Sequence, residues 1–156
     1  MTAAGDRLEI EWLVRAYSTA VDARDTASIA ACFTDDARLE YFGGATIVTG
    51  RAGISAFFDF AGQAAAGHPV PIHSTHFTQI DDVRLADDGA SAVVSVSCLV
   101  TFVYPDGGGE LLLRGVAYSD VAVRTEQGWR LSSRRHRQLW EHRGPVTLLG
   151  LQERIA

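Results

Sequence analysis

The chain lacks the features that mark several whole classes of protein. No stretch approaches the ~18 uncharged apolar residues of a membrane-crossing helix. The first ten residues carry Asp6, Arg7 and Glu9 where a secretion signal has its apolar segment. The expectation is a cytoplasmic protein without a membrane partner. Cysteine is scarce: Cys32 and Cys98 have neither framework nor ligand spacing, so they read as buried free thiols rather than a disulfide or a metal pair. Positive charge is in deficit as well. Fourteen basic against 19 acidic residues give a net charge of −5 and a pI near 5.4, which argues against a nucleic-acid partner. The local basic run, Arg130 with Arg134, Arg135, His136 and Arg137, has strand character, and alternate side chains of a strand face opposite ways, so it is not one patch. No repeat, low-complexity tract or linker divides the chain. A single domain over 1–156 is expected, with its core at 7–140 and a tail at 141–156 that folds over an opening.

What remains is a globular composition, 47% hydrophobic and 21% charged with a mean hydropathy of +0.04. Ile10, Leu13, Val14, Tyr17 and Val21 recur at helical spacing and predict an amphipathic helix from about Asp6 to Ala23. Arg24-Asp25-Thr26 breaks it, and Asp25 or Thr26 caps a second short helix ending near Phe33. Thr34-Asp35-Asp36 turns into a strand that puts Ala37, Leu39 and Tyr41 on one face. Past Gly43-Gly44, a short extended piece leads into a third helix from about Ala52 to Ala66, stopped by Gly67-His68-Pro69. Four long alternating runs follow: 72–85, 90–104, 110–124, and Trp129 to about Trp140. Short glycine-containing turns join them, which predicts antiparallel hairpins. Helices followed by a meander make an α+β order.

Polar groups on apolar elements mark the candidate site. Tyr17 and Asp22 lie near the end of the first helix, Tyr41 on the first strand, and His76 within Thr75-His76-Phe77. An unpaired hydroxyl costs roughly 1 to 3 kcal/mol to bury and a charge more, so a phenol, a carboxylate and an imidazole on core elements suggest a polar site inside an apolar pocket. Tethered core rings, a satisfied imidazole and a helix-capping carboxylate are the plain alternatives. Paired, Asp22 and His76 form an acid/base unit, because a carboxylate that accepts the Nδ1–H fixes the tautomer and raises the basicity of the other nitrogen. Tyr17 and Tyr41 would donate to a substrate carbonyl or enolate, worth up to roughly 3 to 4 kcal/mol per donor in a dry site. His73 and His76 face opposite sides of a regular strand and no third ligand fits, so no metal is expected.

Arg135 shares parity with Trp129 and Leu131, and Arg134 with Arg130, so one of the two enters the interior. Arg135 is the candidate for a substrate carboxylate, phenolate or thioester tail; an ion pair with Asp120 or Glu40 is the alternative. Tyr118 and Asp120 face one side together. Leu13, Val14, Phe57 and Phe58 would make the pocket walls mainly apolar.

The element order resembles the nuclear-transport-factor-2-like superfamily, and within it the SnoaL-like group that includes scytalone dehydratase and bile-acid dehydratases. Its marks are Tyr17-x4-Asp22-x2-Asp25, Phe33-Thr34-Asp35-Asp36-Ala37, Thr75-His76-Phe77, Gly115-Val116-Ala117-Tyr118-Ser119-Asp120 and Gly128-Trp129-Arg130-Leu131, spread over about Arg7 to Trp140. The resemblance implies a cone-shaped, mostly antiparallel sheet wrapped around a long N-terminal helix, with the pocket inside. It implies pocket roles for Tyr17, Asp22, Tyr41, His76 and the Ser119 hydroxyl, no cofactor, and a homodimer or homotrimer built through the outer sheet. Two departures stand out. The second pocket histidine of the scytalone enzyme has no counterpart among Leu99, Val100, Thr101 and Phe102, and Tyr41 stands where ketosteroid isomerases carry an aspartate base. The expected activity is dehydration of a small apolar or aromatic, polyketide- or steroid-like molecule by proton abstraction next to a carbonyl. A cyclase or isomerase on the same site, or a non-catalytic binding or dimerisation module, are the alternatives.

Overall fold

Thr2 starts the first helix by accepting a hydrogen bond from the Gly5 N–H, and Asp6 adds negative charge to the first turn. In the computed structural model, which describes residues 2–105 and 109–149, this helix, α1, spans Ala3–Asp22 and buries a stripe of Ile10, Val14 and Tyr17. Arg24 turns the chain with φ 55, so that the Asp25 N–H bonds back to the Ala20 carbonyl. The Asp25 carboxylate then caps α2 (Thr26–Ala31) through the Ser28 N–H. β1 (Phe33–Tyr41), a 3-10 turn (Phe42–Gly44) and β2 (Thr46–Thr49) follow.

The expected third helix is two helices, α3 (Gly50–Phe57) and α4 (Phe60–Ala65). Asp59 divides them because its carboxylate accepts the Gly62 N–H and starts a new helix. A Cβ on Gly62 would stand 2.1 Å from that carboxylate, so this cap fits only glycine as it stands.

The meander comprises β3 (His73–Leu85), β4 (Ser91–Tyr104), β5 (Glu110–Thr125) and β6 (Gly128–Pro145). β6 continues past Trp140 because it stays paired with β5 as far as Glu110. The six strands are ordered β2-β1-β6-β5-β4-β3, all antiparallel except the parallel contact of β1 with β6. This is the predicted α+β fold, a long helix packed on a curved mixed sheet. The turn at 106–108 and the tail beyond Leu149, with its expected cover over the opening, lie outside the described residues.

Two anchors set the helix against the sheet. At its start, Asp6 Oδ1 accepts hydrogen bonds from Arg124 (2.5 Å) and from the Trp129 indole (3.3 Å). Toward its end, Ser18 meets Thr78 at 2.9 Å, which brings Asp22 beside β3.

A bulge in β6 decides what enters the interior. Leu131 pairs with Ala122 and Ser133 with Val121, which leaves Ser132 as an extra residue. An extra residue reverses strand parity. Trp129 and Leu131 are inside before the bulge, and Arg134 is inside after it. Among the described residues no helix is long and apolar enough to cross a membrane.

Candidate active site

Asp22, the last residue of α1, meets His76 on β3 at two points. Its Oδ1 lies 2.7 Å from the imidazole Nδ1, and its Oδ2 accepts the His76 backbone N–H at 2.8 Å. An ionised carboxylate only accepts, so Nδ1 carries the proton and Nε2 is left as a base. Burial pushes the Asp22 pKa up, but the ring and backbone hydrogen bonds and the charge of His76 outweigh it, and the net pKa lies below the usual carboxylate value. The imidazole is 6% exposed and the carboxylate 23%.

The surroundings of the pair differ from the apolar pocket expected. It borders an open groove of about 550 Å³ between α1 and β3, lined also by Arg15, Ser18, Thr19, Thr78 and Gln79. The last turns of α1 present polar side chains there, whereas Val14 is buried and Phe57 and Phe58 pack elsewhere. Away from Asp22, the His76 ring meets the Phe102 ring edge-on at 6.2 Å.

Deeper in the core the Tyr17 and Tyr41 hydroxyls lie 3.1 Å apart. Burial raises both phenol pKa values, and that of Tyr118 as well, so all three are neutral hydroxyls near neutral pH. Arg134 grips Asp120 with Nε–Oδ1 2.8 Å and Nη2–Oδ2 2.5 Å, both side chains being 0% exposed. Its guanidinium lies 4.1 Å from the Tyr17 ring centroid and 4.4 Å from that of Tyr118. Burial alone favours loss of its proton, but Asp120 reverses this and holds its pKa well above the ordinary value.

Four substrate-contact candidates divide evenly. Tyr118 is buried beside Arg134, and Phe57 stands 4.9 Å from the Tyr41 ring. Arg135 is 67% exposed and pairs with Glu40 at 2.9 Å on the outer face, with Ser119 exposed opposite it in register. The correction to Arg135 follows from the Ser132 bulge, which parity counting from Trp129 could not include. Ser119 points outward because its neighbours Tyr118 and Asp120 both point in. Of the two ion pairs weighed for these arginines, both form: Arg134 with Asp120 inside, Arg135 with Glu40 outside.

His136 was hidden in the same way. The bulge turns it inward, where its ring stacks on Tyr41 (4.8 Å, 26°) and lies 5.6 Å from Tyr118. Burial lowers its pKa to about 4, so it is neutral at neutral pH. β4 carries no pocket histidine, but β6 supplies an imidazole. The only clue in the chain was the Asp120 and Arg134 charge match. His73 bonds Thr75 while His76 bonds Asp22, and no three His, Cys, Asp or Glu side chains converge to hold a metal among the described residues. A second cavity of about 720 Å³ is bordered by Phe42, Phe57, His68, Tyr104, Glu110 and Arg143.

Residues 2–135 match the SnoaL-like domain. The chain belongs to the SnoaL-like family. Over 131 residues it is 31% identical to an uncharacterised protein of Mycobacterium tuberculosis, covering 83% of this chain and 82% of that one. Among solved structures, a scytalone-dehydratase-like protein of Novosphingobium aromaticivorans is similar with a TM-score of 0.74 and 19% identity, over 94% of this chain and 95% of that one. The hexachlorocyclohexane dehydrochlorinase LinA, type 2, gives a TM-score of 0.75 and 16% identity over 94% of both chains. At these identities the two structures show a shared fold.

Proposed function

We propose that this SnoaL-like protein is a cofactor-independent lyase that removes water from a small polycyclic or aromatic β-hydroxy ketone. The observation that carries the reading is the two-point contact of Asp22 with His76, which orients the ring and leaves Nε2 free to accept a proton. Nε2 takes the proton from the carbon next to the carbonyl, and the C–H electron pair moves to the carbonyl oxygen as an enolate. One of the paired phenols Tyr17 and Tyr41 donates to the other, whose own proton is left for that oxygen. The positive charge of Arg134 beside Tyr17 favours negative charge there. The enolate then re-forms the carbonyl, a carbon–carbon double bond forms, and the bond from the β-carbon to its hydroxyl breaks. The departing hydroxide takes the proton from the imidazolium and leaves as water, which restores His76.

The reading fits two structures of the same fold, one named as scytalone-dehydratase-like and one as a dehydrochlorinase. The sequence contains no lysine, so the residues present offer no Schiff-base route to the same carbanion. Incubation with 3-hydroxy-1-tetralone tests the proposal, because its dehydration yields fluorescent 1-naphthol. Formation of 1-naphthol above the buffer rate is expected; a rate equal to buffer contradicts the reading.

A further inference from the structure

Among the described residues, two buried side-chain nitrogens have no hydrogen-bond partner, Arg134 Nη1 and His136 Nδ1. Both belong to inward residues of β6 and flank the Tyr118 ring. Arg134 already spends two of its nitrogens on Asp120, whereas His136 Nδ1 stands bare inside a cage of rings: Tyr41 against its face, Tyr118 beside it, and the Phe42 ring at 6.3 Å. A buried polar atom in this position calls for a partner, which a ligand or an ordered water can supply.

We propose that His136 is a substrate-recognition residue, and that the Tyr41, Tyr118 and His136 face takes a flat aromatic ring bearing a hydroxyl whose hydrogen-bond partner is Nδ1. In a neutral imidazole Nδ1 is a donor in one tautomer and an acceptor in the other, and a hydroxyl can meet it in either; a carboxylate, which only accepts, fits one tautomer alone. The imidazole stays neutral because it is buried and because the charges of Arg134, Arg114 and His76 oppose its protonation. The 720 Å³ cavity borders Phe42 and Phe57, whose rings pack against His136 and Tyr41, and it is the side from which a ligand would reach the cage. Phe42 is 57% exposed and sits at φ 53, a conformation rare for a bulky residue, which makes it the natural part to move. This deepens the reading of the same site, but it concerns binding and stands apart from turnover.

The test compares 1-naphthol with the near-isosteric 1-methylnaphthalene, binding each to the full chain. The wild type is expected to prefer 1-naphthol about tenfold, as one neutral hydrogen bond in a dry site gives. His136→Phe keeps the ring stack and should bring the two ligands to equal affinity; His136→Gln, which offers a donor and an acceptor, should restore part of the preference. In the wild type the ¹⁵N resonance of Nδ1 should shift with 1-naphthol and not with the hydrocarbon. No binding, no preference in the wild type, or a preference that persists in His136→Phe overturns the proposal. If the preference behaves as stated and 3-hydroxy-1-tetralone is not dehydrated, this inference stands and the elimination reading falls.

Discussion

Two carboxylates in this protein each meet a nitrogen-bearing residue at two points, Asp120 through the Arg134 guanidinium alone and Asp22 through the His76 ring and its backbone N–H, and their surroundings separate their uses. Asp120 and Arg134 are sealed at 0% exposure, and the guanidinium keeps its proton at any ordinary pH. Asp22 and His76 lie at the edge of an open groove, and the partner is an imidazole with one nitrogen uncommitted. A proton can cycle only on the second pair. The first supplies a fixed positive charge near the phenols, paired with its own counter-ion, so that a two-point carboxylate contact serves electrostatics in one place and, in the proposed reading, acid/base chemistry in the other.

The comparison breaks most visibly in stability. Asp120→Leu strands a buried guanidinium and should cost about 3 to 5 kcal/mol in urea unfolding, whereas Asp22→Asn, at a hydrated groove, should cost under about 1 kcal/mol. Equal losses would erase the distinction. Adding Arg134→Met to Asp120→Leu should recover most of the loss, since an apolar pair of similar volume replaces a buried ion pair at little cost.

Turnover should show the reverse ranking. His76→Ala and Asp22→Asn are each expected to slow 1-naphthol formation at least ~10²-fold, about 2.7 kcal/mol in the barrier, with melting temperatures close to wild type. Near-normal rates in both variants would return attention to the phenols.

The pH dependence of stability sharpens the account of His136. Its folded pKa is about 4 against 6.5 in the unfolded chain, so between those values the unfolded state binds the additional proton. The stability it contributes is complete above about pH 6.5 and is lost as the pH falls toward 4. Thermal melts of His136→Phe should therefore decline less over that window than those of the wild type.

Much of the fold was legible because each long element has one clear period. The apolar spacing of Ile10, Val14 and Tyr17 made α1, and the alternation through β3 to β5 made the meander. The Asp22 and His76 contact could be foreseen from the family resemblance, which implied an Asp-His pair at those positions, whereas residue type alone left a capping carboxylate and a satisfied imidazole as the plain alternatives. The interior of β6 could not. A single extra residue, Ser132, inverts the side chains that follow it as far as the next register shift at Leu139, and nothing in Leu131-Ser132-Ser133-Arg134 says which position is bulged until pairing with β5 is known. That one residue moved Arg135 outside and brought Arg134 and His136 in. The break of the third helix was missed for a similar reason, because Asp59 looks like an ordinary helix residue until its carboxylate is seen capping Gly62.

The central claim is that His76, held by Asp22, removes a proton next to a carbonyl. Deuterium exchange at C2 of 1-tetralone in D2O, followed by NMR, tests this step alone, since this ketone has no leaving group. The account predicts exchange faster than buffer for the wild type and at least ~10²-fold slower for His76→Ala and Asp22→Asn. Exchange by both variants at the wild-type rate, or a wild type no faster than buffer, would contradict it.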